Sequence, residues 1–62
     1  MHNSAALKKI RSQMGLTQLE FSNILGINQA NLSAMESGRR SIGKKIAMRI
    51  GERFKIDYRV LL

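Results

Sequence analysis

Apolar positions along this chain recur at intervals of three and four residues, and no stretch alternates with period two over a useful length. The elements predicted are therefore all helical. Leu7, Ile10 and Met14 form a first stripe, with Ser4 as its expected N-cap and Gly15 as its stop. Thr17, with Glu20 three residues later, makes a capping box ahead of a short helix from Gln18 to Leu25, which Gly26 ends. Asn28 can cap a third helix from Gln29 to about Ser37, with Leu32 and Met35 inward and Gly38 just past its end. Ser41 is the expected cap of a fourth, where Ile42, Ile46, Ile50 and Phe54 recur every four residues beside Ala47. Gly51 reads as an imperfection in that helix, costing up to ~1 kcal/mol against alanine. Asp57 opens a last turn from Tyr58 to Leu62, where Val60 or Leu61 joins Ile56 to close the core. The expected architecture is all-α, a compact bundle of about five short helices forming one domain over residues 1–62.

Residues 18 to 37 have the spacing of a helix-turn-helix. Gly26 stands where the chain must turn sharply, a place suited to positive φ. Ser22 is small enough for the two helices to approach closely. Phe21, Leu25, Ile27, Leu32 and Met35 are the apolar positions that lock the pair. With Leu32 and Met35 inward, Asn28, Gln29, Ala30, Ser33, Ala34 and Ser37 face outward. Residues 28 to 34 carry no charge, whereas Arg39 and Arg40 follow closely. An uncharged, amide-bearing strip beside cations suits a ridge that reads base edges between phosphate clamps. Gln29 can bond adenine N6 and N7, while Ala30 and Ala34 can pack on thymine methyls. Asn28 either caps the helix or reaches a base. Gly43, near the start of the fourth helix, either lets a phosphate approach the backbone or makes a packing contact with the first helix.

Composition strengthens the nucleic-acid reading. Eleven Lys and Arg face four Asp and Glu, a net charge of +7 over 62 residues, which favours polyanionic partners. Cysteine is absent, so no disulfide or thiolate metal site supports a domain this small. Dense helix packing or dimerisation must do so. Every apolar run falls short of the ~18 residues of a membrane span, and no signal-peptide pattern opens the chain, so a cytoplasmic location is expected. A basic amphipathic helix over 44–55 could lie on an acidic membrane, but its apolar stripe is needed for the core. His2 is the sole histidine, the four acids are dispersed, and no phosphate loop is present. Catalysis, a metal and a cofactor are not expected. Met14 and Met35 fall on inward stripes. Leu19, Ile24 and Met48 fall on outer faces, where they can meet a protein partner.

The run "GLTQLEFSNILGINQANLSAMESGRR" resembles the Cro/repressor-type, or XRE, helix-turn-helix family. The matching features are Gly15-Leu16-Thr17-Gln18, Ser22, Gly26, Gln29, Leu32 and Glu36-Ser37-Gly38. The resemblance implies a DNA-binding transcriptional regulator that binds palindromic operators as a homodimer. It implies that Gln18 contacts a phosphate and braces Gln29, and that Gln29, Ala30, Ser33 and Ala34 face base pairs. Asn31 would lie toward the sugar-phosphate wall, and Ser37, Arg39, Arg40 and Lys44 would hold the backbone. Arg11 would pair with Glu36, tying the first helix to the third; otherwise Arg11 is one more phosphate-facing charge. Cro-like and controller proteins, which this chain resembles, act as small switches set by concentration and dimerisation. Many antitoxins carry the same motif, so the antitoxin of a toxin–antitoxin pair, with a protein toxin as partner, is the alternative.

Overall fold

The computed structural model describes residues 3–62, and His2 lies outside them. Four α-helices follow in order: α1 (Ser4–Gln13), α2 (Gln18–Leu25), α3 (Gln29–Glu36) and α4 (Lys44–Phe54). A 3-10 helix, Tyr58–Leu61, closes the chain. Each boundary has a local cause. Thr17 accepts the Glu20 N–H while the Glu20 side chain accepts the Thr17 N–H, so the capping box forms on both sides. Gly26 ends α2 in the left-handed region at φ 70°. Asn28 caps α3 by accepting the Asn31 N–H at 2.7 Å. Asp57 opens the 3-10 helix by accepting from Arg59.

Two expected caps move. Asn3, not Ser4, caps α1, its Oδ1 accepting the Ala6 N–H at 3.0 Å; the Asn3 backbone N–H also donates to the Leu61 carbonyl at 3.0 Å. The fourth helix starts later than Ser41 allows: Gly43 is its N-cap, without a side-chain hydrogen bond. The physical reason is Ile42, which is buried from a loop rather than from a helical turn.

The core gathers Leu7, Phe21, Leu25, Leu32, Met35, Ile42, Ala47, Ile50 and Leu61. The Phe21 and Phe54 rings lie 5.7 Å apart between centroids, tilted by 50°, and join α2 to α4. α3 packs on α2 and α1, and α4 packs on the 3-10 helix and α2. Of the two closing candidates Leu61 is buried and Val60 exposed. Met14 departs from its expected inward place and is 46% exposed. Leu16, folded back by its N–H on the Arg11 carbonyl, packs against the end of the core instead.

Gly51 is no imperfection. A Cβ there would lie 2.8 Å from the Ile56 carbonyl oxygen and 3.1 Å from Tyr58 Cβ. The missing side chain is what lets the C-terminal turn close onto α4.

Candidate nucleic-acid interface

α2 and α3 meet at the left-handed Gly26, and Ser22 is the small residue at their junction, with its hydroxyl donating to the Leu19 carbonyl at 2.8 Å. Leu32 and Met35 are buried, which turns the opposite side of α3 outward. Gln29 and Ala30 are exposed at its start, and Ser33 and Ala34 are half-buried along it. The Gln29 amide has no hydrogen-bond partner among the described residues, so its donor and acceptor both face solvent. The Asn28 oxygen is engaged in the cap, which leaves only its amino group to reach outward.

The loop after α3 folds back onto the helix it leaves. The backbone N–H groups of Arg39 and Arg40 both donate to the Ala34 carbonyl, at 2.9 and 3.2 Å. The Ser37 hydroxyl donates to the same oxygen and accepts from Arg39 Nε at 2.8 Å. Arg40 reaches the Asn31 side chain at 3.4 Å. The two arginines therefore stand beside the outward strip of α3, and Lys44 follows, exposed, as the first residue of α4. Gly43 finds no packing partner: a Cβ on it would meet nothing within 4 Å. Among the described residues it makes no packing contact with α1.

A buried ionic knot fixes α3 from behind. Glu36 accepts from Arg11 Nε at 2.7 Å and Nη2 at 3.1 Å, and from Gln18 Nε2 at 3.1 Å. Arg11 Nη1 also donates to the Leu16 carbonyl at 2.9 Å. Its hydrogen bond to Glu36 holds the guanidinium pKa above its ordinary value. Arg11 is thus an internal partner rather than a phosphate-facing charge. Gln18 departs from its expected place: its amide braces Glu36, not Gln29, because the acid at the end of α3 offers a charged acceptor.

Two contacts that order this region carry no sequence signal. Arg49 donates to the Leu25 carbonyl at the end of α2, fastening α4 to the turn before α3. The Gln18–Glu36 bond spans eighteen positions. Neither falls within a local motif or a helical spacing.

The all-helical order of these elements agrees with comparisons of the sequence with known proteins. One relative, antitoxin PezA of Streptococcus pneumoniae serotype 4, is 36% identical over 52 residues. That alignment covers 84% of this chain and 33% of the relative, so the chain spans about a third of the length of the protein it matches. The helix-turn-helix family model matches residues 7–61, from the buried Leu7 within α1 to the closing turn. The chain accordingly belongs to the Cro/repressor-type helix-turn-helix family of DNA-binding regulators.

Proposed function

We propose that this protein is a sequence-specific transcriptional regulator that binds a palindromic operator as a homodimer, with α3 in the major groove. The observation that carries the reading is the open, uncharged start of α3 with Arg39 and Arg40 folded beside it. Gln29 is the principal base reader, through a bidentate contact to adenine. Ala30 and Ala34 pack on thymine methyls, Ser33 bonds a base edge, and the Asn28 amino group reaches the first base pair. Asn31, Ser37, Arg39, Arg40 and Lys44 hold the phosphates, with Gln18 at the start of α2. The N–H groups of Ile42 and Gly43 meet a further phosphate at the uncapped start of α4.

A dimer suits the dimensions. The domain measures 25 × 23 × 19 Å. Two half-sites on one face of the duplex are about 34 Å apart. Copies on successive turns therefore lie close enough to touch edge to edge once side chains are added.

Selection of bound duplexes from a random pool tests the reading. The expected result is a palindrome with half-sites one helical turn apart. Gln29→Ala is expected to lose about 1–3 kcal/mol on the selected site and little on scrambled DNA. Gly43→Ala is expected to weaken both alike and to leave the fold intact. Equal affinity of the wild-type protein for selected and scrambled duplexes sinks specific readout.

The match to antitoxin PezA supports a second reading, in which the protein is the antitoxin of a toxin–antitoxin pair and regulates its own operon. Co-purification from the source cell distinguishes the two. A small protein held at a fixed ratio favours the antitoxin, and its absence disfavours it.

A further inference from the structure

α4 bears a second surface on a different element from the α3 ridge. Ala47 and Ile50 turn into the core, while Met48 between them stays 42% exposed. It lies where two shallow grooves join. One is bordered by Lys45, Arg49, Glu52 and Arg53. The other continues past Gly51 to Ile56 and Tyr58. Gly51 lets the returning chain close against α4, so that Ile56 and Tyr58 form the far wall of the second groove. Together they form a trough along the outside of α4, with three cations and one acid around an apolar centre.

Two of those cations are already held. Arg49 is anchored to the Leu25 carbonyl, and the Arg53 guanidinium carbon lies 5.9 Å from the centre of the Phe54 ring. Anchored side chains lose less freedom when a partner binds.

We propose that this trough docks an acidic polypeptide segment carrying an apolar anchor. The anchor seats on Met48, and the segment's carboxylates meet Lys45, Arg49 and Arg53. A second copy of this chain fits poorly, because two-fold pairing sets three cations against three. DNA matches the cations but brings no apolar side chain to Met48. The inference does not depend on the reading of α3, and its test separates the two.

Random peptides displayed on phage are selected against the whole chain. The expected survivors carry an excess of Asp and Glu and an apolar residue among them. Their affinity is expected to fall by about tenfold or more in Met48→Asp and in Arg53→Glu. Met48→Asp is expected to keep its helicity, its sedimentation and its DNA affinity. Recovery of no peptide, of peptides without acidic excess, or of peptides indifferent to both variants overturns the proposal. If Met48→Asp changes the oligomeric state, the trough belongs to a second copy. If it retains helicity but loses DNA binding, the trough belongs to nucleic acid. Either outcome also overturns the proposal.

Discussion

Glu36 shows how one side chain can order a whole surface. Its carboxylate accepts from Arg11 and Gln18, so α1, α2 and the end of α3 share a single acceptor. The side chain is 3% exposed and that of Arg11 15%, so water can replace little of what the pair supplies. Glu36→Ala leaves a part-buried guanidinium without its partner, a loss of up to about 3–5 kcal/mol. That is comparable to the whole stability of a core this small, about 3–5 kcal/mol. The variant is expected to lose most of its helicity at 25 °C, read by circular dichroism. A native-like spectrum and an unchanged urea midpoint would show that the knot is incidental. By contrast, the Asp57–Arg59 pair lies at the surface, where a 2.8 Å contact adds little.

At the scale of the element, the helices owe their limits to short local devices and their angles to distant ones. The capping box of α2 and the asparagine cap of α3 need only neighbours three residues away. The end of α4 has no such marker: Lys55, a residue with a Cβ, takes the left-handed conformation at φ 57°. It does so where the chain turns back and the Ile56 N–H reaches the Gly51 carbonyl. This return explains why Gly51 must lack a side chain. Gly51→Ala should gain up to ~1 kcal/mol of helix propensity and lose about 1–3 kcal/mol to the clash with the Ile56 carbonyl. The expected net result is destabilisation, measured as a lower melting temperature. A stabilised variant would mean that the C-terminal turn shifts freely.

For the molecule as a whole, an excess of cations favours DNA but leaves few acids to set acid stability. Two of the four have lowered pKa values. The Thr17 backbone N–H, followed by its hydroxyl, holds Glu20 below its ordinary 4.5. The Arg59 guanidinium, followed by the Arg59 backbone N–H, holds Asp57 at about 2 against 3.8. Both carboxyls therefore bind fewer protons when folded than when unfolded. Their contribution is complete above the ordinary values and is lost as pH falls through the folded ones. Both groups lie at the surface, so the melting temperature is expected to decline only slightly from about pH 5 toward pH 2, with a shallower decline in Glu20→Gln/Asp57→Asn. Superimposable acid limbs for the two proteins would assign the decline to other groups.

Much of the domain was legible in the chain itself. The bounds of α2, the caps Thr17, Asn28 and Asp57, the inward Leu32 and Met35, and the exposed Asn28, Gln29 and Ala30 all follow from capping chemistry and helical spacing. These act over three or four residues, so neighbours alone determine them. The family resemblance added the Arg11–Glu36 pair, which no local rule supplies. Only the tertiary structure decided what spans longer distances. It turned Gln18 toward Glu36, anchored Arg49 on Leu25, kept Gly51 bare beneath the returning chain, and delayed α4 until Ile42 was buried. Such features depend on which surfaces meet after the helices pack, and a pattern read along one dimension contains no account of that meeting.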